Sequence, residues 1–261
     1  GIRDIGVTGV QTCALPIFRW YEGRCLKKAD YVYFITPEDR KQGIAEWKLN
    51  PDQSDVLPLG IRQQQFPDDR PRCQEIVRQL HNIPATSHIL LFNGLLNYLP
   101  NRQALGNLLK EINPRLQKSG IEYRLLICGK GLPTDYGELE SYRAQNIIYA
   151  GFVEDIENYF KSADVFLNPV LSGGGIKTKM VEAIGLGTTV VSTQTGATGI
   201  LSEVCGEKLR LAPDNDWDRF TTLIMDEASR NTITPPAYYA QYNWALVVKK
   251  IPEMLSKYFP G

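Results

Sequence analysis

From residue 88 onward, short unbroken apolar runs alternate with segments of helical pattern. The runs are HILLFN at 88–93, YRLLIC at 123–128, NIIYA at 146–150, VFLNP at 165–169 and TVVS at 189–192, with a shorter sixth at 208–211. A strand that is apolar at nearly every position is buried on both faces, and such strands belong to parallel sheets with helices on each side. The helical segments between them, from 101, at 156–163 and at 176–185, supply those layers and the crossovers that parallel pairing demands. The fold class that follows is α/β, a Rossmann-like doubly wound parallel sheet. A chain of 261 residues suffices for one large domain or two modest ones.

The stretch ahead of residue 88 reads differently. Residues 22–29 look like the end of a helix, residues 31–35 (YVYFI) are β-rich, and Thr36-Pro37 opens a helix. Residues 55–60 (DVLPLG) make a short strand and a turn. Residues 63–73 are polar and hold Pro67 and Pro71, which predicts a linker. Residues 1–17, GIRDIGVTGVQTCALPI, resemble the direct translation of a common sequencing-library adapter, with Ile5-Gly6 in the place of its variable index. They are read as non-native and set aside from fold reasoning. The native chain is then expected to start near Phe18, mid-gene, and Cys13 leaves the cysteine count.

Lys plus Arg and Asp plus Glu are each 29, so the formal net charge is zero. That excludes the electrostatic footprint of a general nucleic-acid binder. No stretch is apolar over the roughly 18 residues that a membrane-spanning helix needs. The cysteines (Cys13, Cys25, Cys73, Cys128, Cys205) form no CxxC, so neither a metal nor a disulfide framework is expected. Reduced thiols in a cytoplasmic protein are the simpler reading.

In an open α/β sheet, ligands bind beyond the carboxyl ends of the strands. Four of those ends are marked by glycine: Asn93-Gly94, Gly129-Lys130-Gly131, Gly151-Phe152-Val153 and Gly173-Gly174-Gly175. In the last, three glycines let a ligand approach the backbone and expose amide N–H groups. The helix expected directly after them, from Ile176, turns its positive end to the same space. That is a place for a phosphate, with cations at Lys177 and Lys179. Ile176, Met180 and Ile184 form a stripe that faces the sheet. Lys179 and Glu182, three apart, share another face, where a carboxylate suits a ribose diol.

Other features carry plainer readings. Asn93 is either structural at its strand end or a lining residue of the cleft. Gly129-Lys130-Gly131 is either a fragment of a dinucleotide fingerprint or an ordinary turn. Asp214-Asn215-Asp216 has the spacing of a metal-binding DxD pattern, but ahead of Trp217 it reads as a helix cap. His81 and His88 stand outside any cluster and are assigned no catalysis. Tyr238, Tyr239, Tyr242 and Trp244 read as the packing of a terminal helix.

The run GGGIKTKMVEAIGLGTTVVSTQTGATGI at 173–200 resembles the donor-site signature of family 4 glycosyltransferases of the GT-B fold. ADYVYFITPEDR (29–40) and VLPLGI (56–61) resemble the last elements of that family's acceptor domain. LLFNGLLNYLPNRQAL (90–105) resembles the strand and loop that open its donor domain, and NIIYAGFVEDIENYFKSADVFLNP (146–169) the segment ahead of the signature. The resemblance implies that residues 18–66 are a remnant of the acceptor domain and linker, 67–232 the nucleotide-sugar donor domain and 233–261 the C-terminal helices. It implies a retaining transferase that moves a sugar from a nucleotide-diphosphate donor, of UDP or GDP type, to a glycan, lipid-linked or small-molecule acceptor. The nucleotide sugar is a co-substrate, and no metal or other cofactor is implied. The fragment, without most of the acceptor domain, is expected to be inactive alone. Its place is cytoplasmic, or peripheral at the inner membrane face through the missing domain.

The resemblance also implies roles. Glu182, Lys179 and Gly174 carry the catalytic positions. Glu182 binds the ribose hydroxyls and Lys179 sits near the diphosphate. Gly94 offers a backbone amide to phosphate or sugar, and Gly151, Phe152 and Val153 contact the base through backbone. Gly174 and Gly175 flank the donor sugar, and Asn93, Gly129, Gly173 and Lys177 complete the donor-binding set. Two departures stand out. The first glutamate of the family's paired motif falls at Gly174, eight before Glu182, and residues 95–99 lack the family's Arg and Lys for the diphosphate, which Arg102 or Lys177 would replace. Charge developing on the leaving diphosphate is met by fixed amides, a helix end and lysine, and the leaving phosphate takes the acceptor's proton, so no dedicated base is required. Two alternatives stay open: a non-catalytic nucleotide-sugar-binding module, and a nucleotide-sugar epimerase on the same fold.

Overall fold

The structure is a computed structural model that describes residues 9–173 and 175–258. It opens with α1 (Gly9–Lys28), β1 (Val32–Phe34), α2 (Pro37–Trp47) and β2 (Ser54–Val56), the two strands pairing in parallel. Then follow α3 (Arg70–His81), β3 (His88–Asn93), α4 (Leu99–Asn107), a π turn, α5 (Asn113–Ser119), β4 (Tyr123–Cys128) and β5 (Ile147–Gly151). The chain continues through α6 (Ile156–Ser162), β6 (Val165–Asn168), α7 (Thr178–Gly185), β7 (Thr189–Thr193), α8 (Ser202–Cys205) and β8 (Leu209–Ala212). It ends with α9 (Trp217–Ala228), α10 (Pro236–Tyr242) and α11 (Trp244–Tyr258).

The six apolar runs are the six strands of one parallel sheet, in the order β5-β4-β3-β6-β7-β8. The chain builds outward from β3 to β5, then returns to lay β6 against the other side of β3. The order reverses there, so a crevice opens beyond the carboxyl ends of β3 and β6. Both faces of the four inner strands, β4, β3, β6 and β7, are packed. Ile89, Leu91, Leu126, Phe166 and Val190 face a core with α3, α6, α7 and α10. Their neighbours Leu90, Phe92, Leu125, Ile127, Leu167 and Val191 face a second core with α4, α5 and α9. All of these strand residues are fully buried, which is what unbroken apolar runs require.

Three local readings change. The expected linker at 63–73 is helical from Arg70, with Pro71 in the first turn, where a missing N–H removes no helical bond. Arg70 ties that turn to the sheet by donating to the carbonyls of Leu186 at 2.9 Å and Ala163 at 3.0 Å. The glycine loop does not lead straight into a helix, because α7 begins at Thr178. The terminal aromatics divide: Tyr238 and Tyr239 donate to the carbonyls of Val181 (2.7 Å) and Gly185 (2.9 Å) on α7, whereas Trp244 is 51% exposed. Asp216 caps α9 by accepting the Arg219 N–H at 2.9 Å, and Asp214 accepts the Thr195 N–H at 3.0 Å. Among the described residues no group of His, Cys, Asp and Glu could hold a metal ion, and no helix is long and apolar enough to cross a membrane.

His88 opens β3 with its ring nitrogen 3.8 Å from Asp164, whose carboxylate also accepts the Ile89 N–H at 2.7 Å. The Asp164 carboxylate outweighs desolvation and raises the His88 pKa above 6.5. A raised folded value makes this contribution full below the unfolded pKa and lost as pH rises through the folded one. The urea midpoint of wild type minus that of His88→Gln is therefore expected to shrink between about pH 6 and 8. A difference that is constant across that range would remove the pair from the stability balance.

Candidate functional site

The crevice is built from the ends of β3 and β6 and from the loops that follow them. Lys179, in the first turn of α7, points its ammonium across the crevice. It donates to the Asn93 carbonyl at 3.0 Å and to Asn101 Oδ1 at 3.1 Å, 5.0 Å from the centre of the Phe92 ring. Burial, and then the charge of Lys177, pull its pKa down from 10.5 to about 7. Among the described residues no carboxylate pairs with it.

Asn101 has no role in the sequence reading, yet it organises this corner. Its Nδ2 donates to the Leu95 carbonyl at 3.0 Å, folding the β3–α4 loop, while Oδ1 orients Lys179. A polar residue just after Pro100 reads only as part of a helix start, and nothing in the sequence shows that its side chain turns back. Gly94 is where it crosses, since a Cβ there would lie 2.7 Å from Asn101 Nδ2. The Gly94 N–H is engaged by the Cys128 carbonyl at 3.1 Å, so it is not the amide offered to a phosphate. Asn93 contributes its backbone carbonyl to Lys179, a lining role for the strand end.

Gly129 also serves packing. Its N–H donates to the Gly151 carbonyl at 2.7 Å, its own carbonyl accepts from the Tyr149 hydroxyl at 3.2 Å, and a Cβ would fall 1.9 Å from the Gly94 oxygen. The Gly129-Lys130-Gly131 turn is where the ends of β3 and β4 touch, and it places Lys130 Nζ 3.8 Å over the Phe152 ring. Phe152 is 60% exposed at the same edge, and Val153 packs on the core below it.

Gly173 and Gly175 both lie at positive φ, 91° and 71°, conformations open to glycine. Their carbonyls receive the Lys177 ammonium at 2.9 and 3.1 Å. The loop is thus clasped by its own lysine, and burial lowers the Lys177 pKa. This clasp engages carbonyls of the loop and occupies the Lys177 ammonium, which weakens Lys177 as a replacement for the missing diphosphate cations. Arg102 is exposed on the first turn of α4. Gly174 lies outside the described residues.

Glu182 is solvent-accessible but lines a cleft of about 400 Å³ with Arg62, Ile156, Glu157 and Phe160. Desolvation by the cleft walls and the nearby Glu157 carboxylate raise its pKa. The fold therefore brings Asn93, Gly94, Gly129 and Lys179 into one corner and Gly173, Gly175 and Lys177 into the adjoining loop. Glu182 stands one turn along α7 from Lys179 and lines a cleft of its own.

A family model described as Glycosyl transferases group 1 matches residues 87–226. The chain is 30% identical over 131 residues to an uncharacterized 44.6 kDa protein in the cps region of Klebsiella pneumoniae, covering 48% of this chain and 34% of that protein. It is 24% identical over 246 residues to the D-inositol 3-phosphate glycosyltransferase of Corynebacterium diphtheriae, covering 88% of this chain and 56% of that enzyme. The chain thus spans about a third to just over half the length of these curated relatives. Among solved structures, Anabaena Alr3699/HepE in complex with UDP and glucose superposes with a TM-score of 0.68 at 13% identity, covering 95% of this chain and 68% of that one. That likeness extends to the fold.

Proposed function

We propose a function from the premise that this chain belongs to the glycosyl transferases group 1 family. The whole protein is a retaining glycosyltransferase that moves a sugar from a nucleotide-diphosphate donor, of UDP or GDP type, to a glycan, lipid-linked or small-molecule acceptor. Residues 67–232 hold the donor, residues 18–66 belong to the acceptor side, and residues 233–261 are the C-terminal helices, of which α10 packs against α7. Residues 1–17 are read as adapter-derived.

The observation that carries this reading is Lys179. It is a partly buried lysine at the topological switch point, held among the described residues by a carbonyl and an amide oxygen. Neutral acceptors orient its ammonium but leave its charge unbalanced, and a diphosphate supplies the balance. The leaving nucleotide gains negative charge as the glycosidic bond breaks, so a lysine placed beforehand and charged in the complex stabilises the transition state more than the ground state. Glu182 takes the ribose hydroxyls as acceptor. HepE, of similar fold, has been solved with UDP and glucose, which supports a nucleotide-sugar ligand here.

A thermal-shift panel with UDP, GDP, ADP and their sugars tests the reading. A donor present at about a hundred times its dissociation constant stabilises by roughly 2.7 kcal/mol. One base is expected to raise Tm, and Glu182→Ala to lose most of that shift. No shift with any nucleotide, in a folded sample, would overturn the donor site.

A further inference from the structure

The loop between β3 and α4 has no cation. Residues 95–99 read Leu-Leu-Asn-Tyr-Leu, and the lysine nearest the glycine loop is folded onto that loop's own carbonyls. An anionic donor lying in the crevice between β3 and β6 still needs hydrogen-bond donors on the β3 side. Tyr98 is the side chain that reaches there.

Its backbone is anchored twice. The Tyr98 N–H donates to the Leu95 carbonyl at 3.2 Å, and its carbonyl accepts the Arg102 N–H at 2.9 Å at the start of α4. From that position the phenol extends over the glycine loop. The point where a Gly173 Cβ would stand is 3.6 Å from the Tyr98 hydroxyl and 3.8 Å from Lys177 Nζ. The ring is 51% exposed, and among the described residues the hydroxyl has no hydrogen-bond partner. An exposed O–H donor with no partner among the described residues therefore converges with a lysine on Gly173.

We propose that the Tyr98 hydroxyl donates a hydrogen bond to the sugar-bearing phosphate of the donor, replacing a cation that the loop lacks. This rests on the donor-site reading above. The sugar end of the donor belongs beside Gly173 and Gly175, so the phosphate nearest Tyr98 is the one that carries the sugar. A phenol is a suitable donor because its O–H can present one hydrogen to a phosphate oxygen. Among the described residues the hydroxyl takes no part in the protein's own hydrogen bonds, so its removal is read in binding and not in folding.

Calorimetric titration of Tyr98→Phe against UDP-glucose, UDP and UMP, with GDP-mannose, GDP and GMP in parallel, tests it. The variant is expected to bind the diphosphates about tenfold more weakly, the usual effect of losing one hydrogen bond to a charged group. It should bind the monophosphate within about twofold of wild type, and the Tm of the ligand-free variant should match wild type. Unchanged diphosphate affinity, an equal loss for the monophosphate, or a lower ligand-free Tm each overturns the role of Tyr98. If wild type binds while Tyr98→Phe is unaffected, only Tyr98 is removed and the donor site stands. If wild type binds none of the six, the donor site falls and Tyr98 with it.

Discussion

Gly129→Ala is expected to destabilise the protein by about 3 kcal/mol, with a Tm lower by roughly 6–12 °C. The residue sits at φ 145°, where a side chain is strained, and its new Cβ would stand 1.9 Å from the Gly94 oxygen. That neighbour is backbone, so it yields only if the end of β3 moves away from the end of β4. The move would also pull on the loop that Asn101 folds, and donor binding should weaken along with stability. Gly106→Ala is the matched control. It lies inside α4, nothing stands within 4 Å of its Cβ, and alanine should be neutral or stabilise by up to about 1 kcal/mol. Urea denaturation of both variants separates the two cases. Equal midpoints would mean that the strand ends do not touch as described.

Lys179→Met is expected to weaken binding of the nucleotide diphosphate about a hundredfold, the scale of removing one partner from a buried charge contact. With its pKa near 7, the free lysine is only partly charged at neutral pH, so an arriving anion draws a proton onto it. Wild-type affinity should therefore fall as pH rises from about 7 to 9, and the variant's profile should be flat over that range. Calorimetry in two buffers of different ionisation enthalpy reads the proton uptake directly. A flat wild-type profile would remove Lys179 from the diphosphate contact. Stability runs the other way. The unfolded lysine holds a proton up to about 10.5 that the folded one releases near 7, so the ligand-free protein gains stability as pH rises across that window. Lys208, buried and donating to the Gly187 carbonyl at 2.7 Å, is lowered to about 7 by its burial and adds to the same slope. Lys179→Met should keep only part of it.

Much of the fold was legible because burial on both faces is recorded residue by residue. The runs at 88–93 and 123–128 coincide with β3 and β4, and the remaining strands shift by one residue at their ends. The first turn of α3 was hidden by Pro71, which breaks a helix interior but suits its start. The start of α7 was misplaced because glycines next to an amphipathic stripe look like an immediate helix entry. The clasp from Lys177 to Gly173 and Gly175 inserts extra residues there.

The amino-acid sequence by itself determined a parallel sheet, glycine-marked loops at its carboxyl edge, and a lysine and a glutamate three apart beside them. These are properties of residue type and short spacing. Only the tertiary structure decided that the Gly94 and Gly129 amides are already engaged, that Asn101 steers Lys179, and that the Tyr98 hydroxyl lies beside Gly173. The partners in these contacts come from different loops; Lys179 lies 86 positions from Asn93 and 78 from Asn101. No local pattern encodes such a meeting, because it exists only once β3 and β6 lie side by side.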